Sequence, residues 1–342
     1  MKTEKHRILF ALKDDKLVSV DDVDRGLECN CVCPACNERL IARKGAKMIH
    51  HFAHYSGSEC EYAYETSLHL LAKDILTETK NIIIPDVYVE FSGSNKVKEL
   101  VSSSKEISID KVELEKQFDN VVPDIVVYSQ GRPLFIEIYV THKIDRNKRL
   151  KLINKGISTI EIDLSNVTRL ISKNELKNIL VNDCDEKKWI FNAVANKIHD
   201  AFLSACKEYK SIQRGYAIHI DNCPLKQRIW KGRPYANLID DCMSCKYCIS
   251  INDSHVWCSG ESKISSINDF RIPYKQRIKD SNTAHNSQIS KAVNQGRCPY
   301  CGSTIKVQNS KYGSFIGCSE FPHCRFKAKI NNETGEIILD DI

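Results

Sequence analysis

Hydrophobic and polar positions are patterned most strongly between residues 123 and 164. Ile125 to Tyr128 and Leu134 to Val140 are apolar, β-branched runs flanking Ser-Gln-Gly-Arg-Pro, which predicts a β-hairpin. The basic stretch 143–155 is compatible with a helix and closes on Gly156, a residue suited to the left-handed C-cap position. Ile157 to Leu164 then reads as a strand, so hairpin, crossover helix and parallel strand give an α/β arrangement with a mixed sheet. Asp124 opens the first strand of the hairpin and Glu137 sits inside the second. A carboxylate within a strand suited to burial must be paired, protonated or metal-bound, because an isolated buried charge costs several kcal/mol.

Elsewhere the pattern is weaker. Residues 7–20 alternate around Lys-Asp-Asp-Lys as a small hairpin, and Leu40 to Ala42 can form a strand. Leu68, Leu71, Ala72 and Ile75 share one helical face, while Glu65, His69 and Lys73, spaced four apart, line another stripe of the same helix. Residues 82–91 and 105–115 read as β-forming stretches. Trp189, Phe191, Val194, Ile198, Phe202 and Cys206 approximate helical spacing, and 259–296 has no sustained period, which predicts a tether.

Composition adds a compartment and a partner class. Fifty Lys and Arg against 44 Asp and Glu give a formal net charge of +6 over 342 residues, a mild lean towards polyanions. The opening residues have no apolar signal core, and no run reaches the roughly 18 apolar residues of a membrane span, so a cytoplasmic location without membrane contact is expected.

The 16 cysteines fall mainly into three clusters with two-residue gaps, the spacing of zinc knuckles rather than of an extracellular disulfide framework. In the first, Cys33 and Cys36 with His51 and His54 supply a tetrahedral zinc set, with Cys60 the runner-up ligand and Cys29 and Cys31 spare. The second offers five thiols for four positions. Cys223, Cys242, Cys245 and Cys258 are the favoured set, with Cys248 the alternative. The third is Cys298, Cys301, Cys318 and Cys324. Cys184 and Cys206 stand apart as core residues. Around the third cluster, residues 297–329 carry six Lys or Arg against one Glu, interleaved with aromatics. Lys311, Tyr312, Phe315, Phe321 and Arg325, with Lys148 from the basic helix, are therefore candidate nucleic-acid contacts, since stacking plus phosphate attraction is the usual way to hold a single strand.

Three resemblances give these parts a context. Pro123-Asp124, the turn, Glu137 and the following βα unit resemble the PD-(D/E)XK nucleases. Cys-Pro-x-Cys, a Lys-Gly turn, His-Phe-Ala-His and then Glu65-x3-His69-x3-Lys73 resemble the N-terminal half of the competence protein CoiA family, a predicted nuclease group tied to DNA uptake. With the hairpin, that resemblance covers residues 1–165. Residues 297–329 resemble the four-cysteine zinc finger at the C-termini of bacterial type IA topoisomerases, where such ribbons bind single-stranded DNA.

The resemblances imply a restriction-endonuclease-like mixed-sheet core at 63–170 and an N-terminal zinc module at 1–62. After the core would come a helical segment at 171–215, a second zinc module at 216–262, a linker at 263–296 and a zinc ribbon at 297–330. Asp124 and Glu137, with the Ile138 carbonyl, would hold catalytic magnesium or manganese, joined by Glu65 beside His69 or by Glu113. Tyr139 departs from the pattern: it stands where the nucleases have Lys and CoiA-like members often Gln, and it is uncharged at neutral pH. His142, Lys143 and Lys148 are the candidate replacements. The implied function is a magnesium-dependent DNA endonuclease in DNA uptake or defence, with about three structural zinc ions and single-stranded or branched DNA as partner. RNA is also compatible with these parts. The alternative is a catalytically silent nucleic-acid-binding scaffold with a nuclease-like fold.

Overall fold

The computed structural model describes residues 8–331 apart from Met48, Glu59, 94–97, Arg169 and 311–312, together with the short strand Ile337–Ile338. Lys311 and Tyr312 therefore lie outside the described residues. The fold is mixed α/β with several small sheets, and the chain divides into two units. One comprises Met1–Val87 and Ser102–Asn196, the other Tyr88–Val101 and Lys197–Ile342.

The first unit is built on a five-stranded sheet in the order Lys187–Phe191, Thr159–Asp163, Arg132–Tyr139, Ile125–Ser129, Lys111–Leu114. Ile125–Ser129 and Arg132–Tyr139 form the expected hairpin, with Ile125 opposite Ile136. The two residues of its turn, Gln130 and Gly131, both have positive φ (49° and 72°), the geometry whose twist matches two antiparallel strands. Helix α2 (Arg146–Lys155) then returns the chain to Thr159–Asp163, which pairs parallel to Arg132–Tyr139 with Glu137 opposite Glu161. Asp145 caps α2 by accepting from the Asn147 and Lys148 amides, and Gly156 closes it at φ 71°.

Side-chain alternation sorts the sheet into two faces. Leu134, Ile136 and Ile138, with Ile125 and Val127, pack in one core with Leu68, Leu71, Ala72 and Ile75 of helix α1 (Ala63–Glu78). Phe135 and Val126 point the other way, where they cluster with Leu152 of α2. Each such fully buried side chain stabilises the fold by about 1.5–3 kcal/mol. Glu137 and Tyr139 share the parity of Phe135, so both belong to the α2 face.

The N-terminal region consists of two hairpins, Phe10–Lys13 with Lys16–Ser19 and Leu40–Arg43 with His51–His54. They enclose a core that includes Phe52, Leu40, Cys29 and Cys31.

The second unit has a six-stranded sheet in the order Arg228–Trp230, Arg233–Asn237, Ala217–Asp221, Lys207–Arg214, His255–Cys258, Cys248–Ile251. The helix Ala193–Ser204 runs into this unit, and its Phe202 packs edge-on against Phe91, with ring centroids 4.8 Å apart. A four-stranded sheet (Ile305–Ser310, Gly313–Cys318, Lys327–Ile330, Ile337–Ile338) forms the C-terminal ribbon.

Two expected elements differ. The stretch read as a linker holds a 21-residue helix, Tyr274–Asn294. Its last turns place Ile289 and Val293 in the ribbon core with Ile316 and Phe326, and that packing overrides a polar composition of low helix propensity. Within the expected helical segment, Trp189 and Phe191 lie on the edge strand Lys187–Phe191. The Trp189 indole N–H donates to the Asp86 carbonyl at 3.0 Å, which fixes the side chain in place.

Candidate functional site

Glu137 lies in the middle of its strand with 1% of its surface exposed. Lys148, in the first turn of α2, reaches down to it. Its Nζ is 2.6 Å from Glu137 Oε2 and 3.8 Å from Asp124 Oδ1. The Asp145 cap fixes this aim, because it holds the Lys148 amide at the helix entrance. Asp124, just before its strand, accepts the Ile138 N–H on Oδ2 at 2.9 Å, which sets the two carboxylates side by side.

Helix α1 closes the site from the other face of the sheet. Its His69 Nδ1 stands 3.9 Å from Asp124 Oδ2. One turn later Lys73 donates to Glu115 at 2.6 Å. One turn earlier Glu65 accepts from the Thr141 hydroxyl and lies 3.1 Å from His142 Nδ1. Of the stripe Glu65, His69, Lys73, His69 is the member that reaches Asp124, while Glu65 and Lys73 are engaged by Thr141 and His142 and by Glu115.

Burial, and then the charge of Asp124, push the Glu137 carboxyl up to about 8 against the pull of Lys148. Burial holds His69 below the usual imidazole range despite Asp124. Glu65 is held low by Thr141 and His142 even though its burial acts the other way. Glu137 Oε1 is buried with no hydrogen-bond partner. An unsatisfied buried carboxylate oxygen beside a second carboxylate is a donor set that fits a hard divalent cation such as magnesium or manganese.

Three sequence candidates sit elsewhere. Glu113 bonds Lys111, Lys116 and the Tyr128 hydroxyl, each at 2.7 Å, because its register opposite Val126 carries it away from Asp124. Tyr139 shares the face of Glu137, but its ring lies under Lys143 Nζ at 5.3 Å. His142 pairs with Glu65, and its side chain is 71% exposed. Of the three replacements considered for the missing lysine, Lys148 is the one that touches both carboxylates. Thr141, whose hydroxyl donates to Glu65, is marked by nothing in the sequence.

Two clusters assemble four donors within 4.8 Å of one another: Cys33, Cys36, His54 and Cys60, and Cys298, Cys301, Cys318 and Cys324. Both fit zinc. The first corrects the expected set, since Cys60 takes the place of His51. On the strand His51–His54 residues three apart face opposite sides, and His51 Nδ1 instead meets the Ile49 carbonyl at 2.9 Å. Glu38 pins the loop that brings Cys60 back, accepting from the Ser56 amide (3.0 Å) and the Ser58 hydroxyl (2.7 Å).

The middle five thiols, Cys223, Cys242, Cys245, Cys248 and Cys258, gather in one apolar cluster without reaching that spacing among the described residues. Burial raises the Cys33 and Cys298 thiols, and the amides of Ala35 and Cys36 and of Tyr300 and Cys301 act the other way. Burial likewise raises the Cys245 thiol, with the amides of Tyr247 and Cys248 acting the other way. Cys258 accepts the Gly260 N–H at 3.3 Å, as Cys318 does from Glu320 at 3.4 Å. Amide donors favour the thiolate. Cys29, Cys31 and Cys206 do the reverse and donate S–H to carbonyls.

In the ribbon, Phe326 packs on Tyr300 as core, while Phe321 is 69% exposed. Phe315 is half-buried on the strand Gly313–Cys318, and Arg325 makes no ion pair among the described residues.

Residues 21–63 match the family model "Competence protein CoiA, N-terminal domain", and residues 295–333 match "Topoisomerase DNA binding C4 zinc finger". Each matched segment contains one of the two tetrads. An uncharacterized protein of Methanocaldococcus jannaschii is 30% identical over 79 residues, 23% of this chain and 26% of that protein. DNA topoisomerase 1 of Methanothermobacter thermautotrophicus is 40% identical over 45 residues, 13% of this chain and 6% of its own. DNA topoisomerase 1 of Helicobacter pylori is 28% identical over 102 residues, 27% of this chain and 14% of its own. The chain thus spans about a quarter or less of these relatives' lengths. No solved structure matches. The two ends of the chain are therefore similar to two different families, a competence-protein N-terminal domain and a topoisomerase C4 zinc finger.

Proposed function

We propose that the protein is a magnesium- or manganese-dependent nuclease of the PD-(D/E)XK type that hydrolyses DNA phosphodiester bonds and uses its C-terminal zinc ribbon to hold the substrate. The observation that carries this reading is the Lys148, Glu137, Asp124 constellation, with one buried oxygen of Glu137 left for a cation. Asp124, Glu137 and the Ile138 carbonyl would hold the ion. When bound, it supplies a Lewis acid and a more acidic water. Lys148 places its charge where a phosphate would approach, the task that Tyr139 cannot perform. His69, neutral because it is buried, can accept a proton at the edge of the site.

The exposed Phe321 and the cations Lys306, Arg325 and Lys327 support strand binding by the ribbon. Amide donation to Cys245 and Cys258 supports a third zinc held by Cys223, Cys242, Cys245 and Cys258. Thiols kept for zinc fit a reducing, cytoplasmic setting, and the similarity to a competence protein fits the processing of incoming DNA.

A second reading, a silent binding scaffold, draws on the 2.6 Å contact between Lys148 and Glu137, which gives the buried carboxyl a partner without any metal. Incubation with single-stranded, duplex and branched DNA and magnesium or manganese separates the two. The nuclease cleaves, and its Asp124→Ala and Glu137→Ala variants bind without cleaving.

A further inference from the structure

Beside the carboxylate centre runs a groove of about 780 Å³, lined by α2 and by the segment around Asn120. Its polar lining is Asn120, Asp145, Arg146, Asn147, Lys148 and Lys151. Asp145 is the one acid among them; its Oδ1 caps the helix by accepting from the amides of Asn147 (2.7 Å) and Lys148 (2.8 Å), which leaves three cations against one carboxylate in the lining. Helix α2 carries no acidic residue. Lys155 is tied to Asp119 and Lys148 to the carboxylate pair, whereas Arg146 and Lys151 make no ion pair among the described residues. Lys148 lines the groove and also touches Glu137 and Asp124, so the cationic surface is continuous with the candidate centre.

We propose that this groove is the track on which a nucleic-acid strand lays its phosphates, Arg146 and Lys151 each holding one, so that the next phosphodiester arrives at Lys148. The proposal rests on the nuclease reading only for what happens at Asp124 and Glu137. Three cations and two amide side chains against one carboxylate, Asp145, fit a phosphodiester backbone, which presents regularly repeated charge and no required sequence. Aromatic platforms are absent among the residues lining this groove, so binding here would be independent of base identity.

The test uses the full-length protein and a fluorescent single-stranded oligonucleotide without added magnesium. Lysines are acetylated with and without the oligonucleotide and read by mass spectrometry. Protection of Lys151 and Lys148, with Lys188 on the far edge strand unchanged as reference, is the expected result. Arg146→Ala/Lys151→Ala should weaken binding by about tenfold and lower the slope of log affinity against log salt by about 1.4, two single-strand phosphate contacts. Lys151 as reactive with the oligonucleotide as without it, together with an unchanged slope, would overturn the proposal. The footprint is taken on the unsubstituted chain, so a folding defect in the double variant cannot mimic a loss. Protection without any metal-dependent cleavage would keep the track and remove the nuclease. Cleavage with Lys151 unprotected would remove the track alone.

Discussion

Lys148 Nζ and Glu137 Oε2 lie 2.6 Å apart, the former on a helix and the latter inside a buried strand eleven residues earlier. The pair brings a positive charge from α2 to the carboxylates, a charge that Tyr139 on the strand does not carry. It also explains how a carboxylate with 1% exposure is tolerated, since a buried acid needs a partner.

If Lys148 supplies the charge facing the phosphate, Lys148→Met should reduce cleavage by about a hundredfold or more, the usual effect of removing one preorganised charge-stabilising group. Tyr139→Phe should stay within a few-fold of the parent. Single-turnover rates on a labelled oligonucleotide decide between them. A larger loss in Tyr139→Phe than in Lys148→Met would give the role to Tyr139.

The raised Glu137 carboxyl makes a pH prediction with a defined sign. Unfolded, the group titrates near its ordinary 4.5; folded, it holds its proton to about 8. Between these values the unfolded chain has lost a proton that the native state keeps, so this group's contribution to stability falls as pH rises. Thermal unfolding without added magnesium should show the parent losing stability from pH 5 to 8 relative to Glu137→Gln. Magnesium should offset the loss at pH 8, because it favours the ionised carboxylate. A difference between the two proteins that does not change with pH would contradict this assignment.

Zinc content separates the ligands from their neighbours. Protein purified without added metal should carry about three zinc ions. Cys60→Ser should remove one, and His51→Gln should remove none. In the middle cluster Cys258→Ser, which removes the thiol that accepts the Gly260 N–H, should lose its zinc, while Cys248→Ser should keep it where Cys223, Cys242 and Cys245 complete the proposed set. Elemental analysis reads all four variants. Loss of zinc from His51→Gln would reinstate the two-histidine set.

Sequence made the local elements legible and left the choices between neighbours open. Gln130-Gly131, the Asp145 cap and Gly156 each act within a few residues, so the hairpin and α2 follow from them directly. The ligand Cys60 depends on strand parity at His51 and on a loop held by Glu38, neither of which spacing reveals. The helix Tyr274–Asn294 was hidden because only the docking of Ile289 and Val293 on the ribbon core rewards it. Glu113 looked close to Asp124 in sequence, yet its register gives it to Lys111, Lys116 and Tyr128. Lys148 was visible as a basic residue, but its aim at Glu137 needed the helix entrance to be placed.

The central claim is that Asp124 and Glu137 hold a metal that cuts DNA. Its most direct measurement is the cleavage of single-stranded, duplex and branched DNA by purified protein with magnesium or manganese, run beside Asp124→Ala and Glu137→Ala. The account expects metal-dependent cleavage by the parent that is lost in both variants, each of which still binds the oligonucleotide and unfolds cooperatively. Cleavage that persists in both variants, or that no metal and no substrate form elicits from the parent, would contradict it.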